Sequence, residues 1–65
     1  MTDLQTMKNV LIASGYREDD GFVIVELKDT IELTIYKSIY SGYGHYDEIE
    51  TNFVYDKNGK LIEIY

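Results

Sequence analysis

The sequence predicts an α+β fold: one N-terminal helix packed on a four-stranded antiparallel β-meander, in two layers. Three observations predict it. Apolar residues recur at spacings of three and four as far as Gly15, then alternate with polar ones from Phe22 onward. The alternating part is interrupted by turn chemistry near Lys28–Thr30, Ser41–His45 and Asn58–Gly59.

The helix is expected over about residues 3–14. Thr2 and Gln5 have the spacing of a capping box, and Asp3 sits in the first turn, where the helix dipole favours a negative charge. Leu4, Met7, Val10, Leu11 and Ser14 form one apolar or small stripe that can face a core, while Lys8 and Asn9 face water. Gly15 is the left-handed stop, with Tyr16 folding back on Leu11 or Ile12. "YREDDG", residues 16–21, then reads as a polar linker. Its Glu18, Asp19 and Asp20 suggest a cation site only superficially, since calcium needs six or more oxygens from a shaped loop.

Strands are expected over about 22–28, 31–40, 46–55 and 60–65. In the first, Val23, Val25 and Leu27 alternate with Ile24, Glu26 and Lys28; in the second, Ile31, Leu33 and Ile35 alternate with Glu32, Thr34 and Tyr36. Placing both valines, Leu27, Ile31, Leu33 and Ile35 on one face sets Leu27 opposite Ile31 across a three-residue turn. Tyr40 opposite Tyr46, around a Ser41–His45 loop, aligns Ile35 with Thr51 and Leu33 with Phe53. In the last hairpin, Asn58–Gly59 within an even-length loop keeps Phe53 on the face of Ile62 and Ile64. A three-residue loop would align Phe53 with Glu63 and is rejected. Asp56, Asn58 and Gly59 match only the start of a calcium-binding loop, lacking its further oxygen ligand and its final glutamate.

At 65 residues the chain is expected to form one domain, 1–65, whose core is small. About 4,000 Å² of buried apolar surface at about 25 cal/mol/Å² gives about 100 kcal/mol. Ordering 65 residues at about 1.5 kcal/mol each costs nearly the same. With no cysteine for a cross-link and no Cys/His cluster for a structural metal, self-association is the remaining support. The absence of cysteine, of an apolar run of membrane length and of a basic-then-apolar leader leads us to expect a soluble, cytoplasmic protein with no membrane partner.

Twelve carboxylates against six Lys and Arg give a formal charge of −6, which repels phosphate backbones and favours basic partners. Direct nucleic-acid binding is therefore not expected. In this register the sheet face away from the helix carries Phe22, Ile24, Glu26, Glu32, Thr34, Tyr36, Ser38, Tyr40, Glu48, Glu50, Asn52, Val54, Leu61, Glu63 and Tyr65. A contiguous apolar patch with an acidic rim marks an interaction site more often than do scattered surface residues. Glu26 opposite Glu32 is unfavourable, so either the register differs there or a cationic group of a partner is needed.

The stretch "IYKSIYSGYGHYDEIE", residues 35–50, concentrates this chemistry. Tyrosine is a good strand former, and each ring can simply cover a strand neighbour. It also gives a large, nearly rigid contact with a hydroxyl to spare. The candidate partner-contact residues are Phe22, Ile24, Tyr36, Tyr40, Tyr43, Tyr46, Asp47, Glu48 and Glu50. His45, beside Asp47 and Glu48, reads as a solvent-facing loop residue, because adjacent loop positions do not supply fixed metal ligands. No catalytic, metal or cofactor site is expected: there is no cysteine, no serine at an activating spacing from the single histidine and no phosphate-binding glycine loop. Carboxylate pairs such as Asp47 and Glu50 lack an enclosing pocket in so small a domain.

Two function classes remain. One is a small acidic, non-enzymatic protein-binding module, such as a phage or mobile-element inhibitor or regulator, that occludes a basic surface of its target by placing carboxylates where phosphates would bind. The other is a structural or assembly subunit whose Tyr-rich outer face pairs with its own copy as a homodimer.

Overall fold

The helix forms where its caps and stripe place it. The computed structural model describes residues 1–65, and α1 spans Asp3–Ala13. Thr2 Oγ1 accepts the Gln5 backbone N–H at 3.1 Å, but the Gln5 side chain donates to Asn9 instead of returning to the cap, so half of the capping box is made. At the other end Gly15 is left-handed at φ +98°. The Gly15 N–H bonds the Ile12 carbonyl and the Tyr16 N–H the Leu11 carbonyl, which is a Schellman stop.

The chain then builds a mixed sheet of five strands, where four were expected. They are β1 (Arg17–Glu18), β2 (Gly21–Glu26), β3 (Thr30–Gly42), β4 (His45–Asp56) and β5 (Leu61–Ile64), in spatial order β1-β2-β3-β4-β5. β2 to β5 form the antiparallel meander. β1 is the addition and runs parallel to β2. The supposed linker becomes β1 because Arg17 and Asp20 exchange backbone hydrogen bonds around Asp19, at φ +67°, and this tight turn folds the chain beside its own continuation.

The β2–β3 register differs by one residue from the expected one. Phe22 pairs with Ile35, Ile24 with Leu33 and Glu26 with Ile31, and Leu27 bonds Thr30 across a two-residue turn of Lys28 and Asp29. A slip of one residue exchanges the two faces of the strand. Phe22 is thus wholly buried and Ile24 packs against the core, so neither belongs to an outer contact face. Val23, Val25 and Leu27 take the outer face instead, with Val25 and Leu27 about half exposed. The physical reason is twofold. A three-residue turn prefers Gly at its left-handed position, where Lys28–Thr30 offers only Asp or Thr, and the shift buries the large aromatic ring of Phe22. Gly21, at φ +119°, begins the strand where a Cβ would lie 2.6 Å from the Tyr16 ring, so Tyr16 closes over this point.

β3 and β4 pair as the sequence implied, with Tyr40 opposite Tyr46, Ile35 opposite Thr51 and Leu33 opposite Phe53. They run further than expected, however, to Gly42 opposite His45 past a bulge at Ser41, leaving only Tyr43 and Gly44 in the turn. The last hairpin uses the three-residue loop that the sequence argued against. Asp56 N–H bonds the Lys60 carbonyl, and Asp56 Oδ1 accepts from the Asn58 and Lys60 amides. A register shift between Val54 and Tyr55 then restores Phe53 opposite Ile64 and turns Leu61 toward the core, away from the outer face. Ile62 and Ile64 stay more than half exposed.

The buried apolar core is Leu11, Phe22, Leu33 and Tyr55, flanked by Leu4, Met7, Ile24, Ile31, Ile35, Phe53 and Leu61. Val10, expected in the core stripe, is more than half exposed. The N-terminus of α1 is fastened to the last turn: Leu4 N–H bonds the Gly59 carbonyl and Asp3 accepts the Leu61 N–H, both at 2.9 Å. The helix therefore covers one end of the sheet, and the two-layer packing holds only there. From Lys37 to Glu50 every residue except Gly42 is exposed. The radius of gyration, 13.2 Å, exceeds the about 11 Å of a compact chain of this length, and the molecule is 44 Å long. No helix is long and apolar enough to cross a membrane.

Gly44 and Gly59 are both left-handed, but a Cβ at Gly44 meets nothing while one at Gly59 lies 2.7 Å from Thr2. Gly44→Ala will cost about 1 kcal/mol and Gly59→Ala at least about 2 kcal/mol in urea unfolding. Equal costs would mean that the last turn does not clasp the helix cap. Tyr55 is buried and its hydroxyl finds no hydrogen-bond partner. Burial, and then the nearby Asp3 charge, raise its pKa above the usual 10.0. The folded state thus holds that proton longer than the unfolded one, and stability present below pH 10 is lost as pH rises past it. Tyr55→Phe will leave the urea midpoint at neutral pH unchanged or raised, and will lessen the loss of stability above pH 10.

Candidate protein-contact site on the projecting hairpin

Because β3 and β4 alternate their side chains and pair in a fixed register, the part of the hairpin beyond the helix has two faces of different chemistry. On the outer face Tyr36 lies opposite Glu50, Ser38 opposite Glu48 and Tyr40 opposite Tyr46. The Tyr40 and Tyr46 rings are 5.3 Å apart between centroids and inclined at 58°, a favourable tilted aromatic pair. The Tyr40 hydroxyl also accepts the Gly44 N–H at 3.2 Å, which leans that ring over the turn and holds it there. Tyr43, at φ +52°, stands at the tip and is fully exposed. The left-handed pair Tyr43–Gly44 suits a two-residue hairpin turn, which is why the strands can reach so close to the tip.

Nearer the helix the polar groups of the same outer face are paired within the chain. Thr34 donates to Asn52 at 2.7 Å and is almost buried. The Tyr65 hydroxyl donates to Glu32 at 2.7 Å, and this bond is the main reason its pKa is raised, with burial and the Glu32 and Glu63 charges adding to it. The expected clash of Glu26 with Glu32 is absent, because the shifted register sets Glu26 opposite Ile31 and Glu32 between Val25 and Val54. Lys57 then reaches Glu26 at 3.3 Å and also donates to the Leu27 carbonyl, tying the last turn to the β2–β3 turn. No partner's cation is needed at that point.

Of the nine expected contact residues, the outer face of the hairpin and its tip bring together Tyr36, Tyr40, Tyr43, Tyr46, Glu48 and Glu50. Phe22 and Ile24 are withdrawn into the core. Asp47 pairs with Ile39 and so lies on the opposite face, beside Lys37 and Ile49. Counting back from the Tyr40–Tyr46 pair gives that assignment from sequence alone. His45 is exposed at the base of the turn, and no three His, Asp or Glu side chains converge as metal ligands. The largest groove, about 480 Å³, lies elsewhere, between α1 and the edge of β2, where Lys8 and Glu18 form a partly exposed ion pair at 3.8 Å. The chain matches no protein-family model, no curated protein and no solved structure.

What remains is a two-stranded platform whose outer side offers four aromatic rings and a line of carboxylates without any Lys or Arg. Tyr40, Tyr43 and Tyr46 are mostly exposed and Tyr36 lies past the buried core, so none of these rings is part of it. Tyr36→Ser with Tyr40→Ser will leave the circular dichroism spectrum of the folded chain intact and lower its stability by about 1–2 kcal/mol. Global unfolding of that variant would return the rings to the core.

Proposed function

We propose that the chain is a small non-enzymatic protein-binding module that lays the outer face of its β3–β4 hairpin on a basic surface of another protein. The observation that carries this reading is the arrangement of Tyr36, Tyr40 and Tyr46 with Glu48 and Glu50 on one side of a hairpin that extends beyond the core. A hairpin of this kind reaches into a cleft or along a groove, where tyrosines supply desolvated contact and carboxylates oppose Lys and Arg. Carboxylates spaced along a strand also suit a surface that otherwise takes phosphates, which supports an occluding inhibitor or regulator of the type found in phages and other mobile elements. Pairing this face with its own copy would oppose Glu48 and Glu50 with further carboxylates, so a basic partner is favoured over a homodimer built here.

The test is affinity isolation of the tagged chain from lysate, with and without nuclease, eluted by a salt gradient and repeated with variants. A basic protein retained after nuclease treatment and released by salt is expected, with its affinity falling about tenfold or more for Glu48→Gln with Glu50→Gln. Tyr40→Ser will weaken binding without changing the salt response. A complex indifferent to salt and to both glutamates would rule out the carboxylate-mediated reading.

A further inference from the structure

The other face of the hairpin is built differently. Past the reach of α1, β3 contributes Lys37 and Ile39 and β4 contributes Asp47 and Ile49, with Lys37 opposite Ile49 and Ile39 opposite Asp47. Ile39 is 42% and Ile49 46% exposed, so the apolar face that begins at Phe22 and Ile35 continues here without a cover. Lys37 and Asp47 have no ion-pair partner within the chain, whose two salt bridges are Lys8–Glu18 and Lys57–Glu26. The four side chains mark the corners of a rectangle about 5 by 7 Å, with isoleucines on one diagonal and opposite charges on the other.

A patch of that pattern is its own complement. A two-fold axis lying along the Ile39–Ile49 diagonal sets each isoleucine on its counterpart and each Lys37 beside the partner's Asp47. An axis along the strands would place Lys37 over the partner's Ile49, and one across them would place it over the partner's Ile39. Only the diagonal arrangement joins apolar with apolar and charge with opposite charge. The strands of the two hairpins then cross steeply, as in orthogonal sheet packings.

We propose that this inner face of the β3–β4 hairpin is a self-association surface whose occupant is a second copy of the chain. It lies on the opposite side of the hairpin from the Tyr and Glu face and does not depend on what that face binds. The patch is small beside the about 800 Å² per partner of a standard interface, so the dimer is weak and concentration-dependent.

Sedimentation equilibrium of the untagged chain, from micromolar to millimolar concentration, tests it. The expected result is a mass that rises from monomer and stops at dimer. Lys37→Asp and Asp47→Lys will each weaken the dimer about tenfold or more, and the two together will restore it to within about threefold. Ile49→Ser will abolish it, and Tyr36→Ser with Tyr40→Ser will leave it unchanged. All four inner-face positions are exposed, so these variants will fold, as circular dichroism will verify. A monomer mass throughout, failure of the double charge exchange to restore the dimer, or its loss in the tyrosine variant would each overturn the proposal.

Discussion

A helix rises about 1.5 Å per residue and a strand about 3.3 Å, and the rest of this molecule depends on that difference. The eleven residues of α1 span about 16 Å, whereas the thirteen of β3 span about 43 Å. One helix of this length covers fewer than half of the residues of the central hairpin. Fastening its N-terminus to the Asp56–Lys60 turn decides which half is covered. Leu33, Phe22 and Tyr55 are buried under it, and everything from Lys37 to Glu50 extends past it. The inner candidate surface follows from this mismatch, since a helix lying further along the hairpin would hide Ile39 and Ile49.

The small core explains why so much is invested in turns and caps. Only six of 65 residues are buried, so closing interactions at the ends of elements matter in proportion. Gly59 lets the last turn approach the helix cap, Gly21 leaves room for Tyr16, and Lys57 ties two distant turns together. Tyr55 is the exception. Its ring fills the centre while its hydroxyl is unpaired, so the ring's area contributes to stability and its polar atom opposes it.

How much of this the sequence revealed depended on whether the two faces of a strand differ in chemistry. Along β3 and β4 they do: Leu33, Ile35 and Phe53 oppose Glu32, Thr34 and Asn52, and the register and the tyrosine platform were legible from that alternation. Along β2 they do not, because Phe22 and Ile24 are as apolar as Val23 and Val25. Parity could not choose between them, and the choice fell to a turn whose three-residue form has no glycine for its left-handed position. The same ambiguity recurs at Leu61–Ile62, where a bulge lets one loop length satisfy the pairing expected of another. β1 was illegible for a different reason: it has no apolar side chain, and only the turn at Asp19 creates it. The expected contact face inherited the same error, since it included Phe22 and Ile24, which belong with the core, whereas Tyr36, Tyr40, Tyr46, Glu48 and Glu50 share the outer face.

The two faces of the hairpin can act together because they point in opposite directions. A dimer built on the inner faces buries Ile39 and Ile49 but leaves both outer faces open, and a steep crossing of the hairpins aims them apart. Each face could then engage a separate basic surface, or two sites of one symmetric target. In the second case the outer faces would reinforce one another by effective concentration, and a weak dimer would tighten on the target it binds. The charge of −6 per chain opposes dimerisation in dilute solution and would be partly neutralised by a basic target. Assembly would thus be coupled to binding: copies that dimerise only weakly when free would dimerise fully once a target had gathered them.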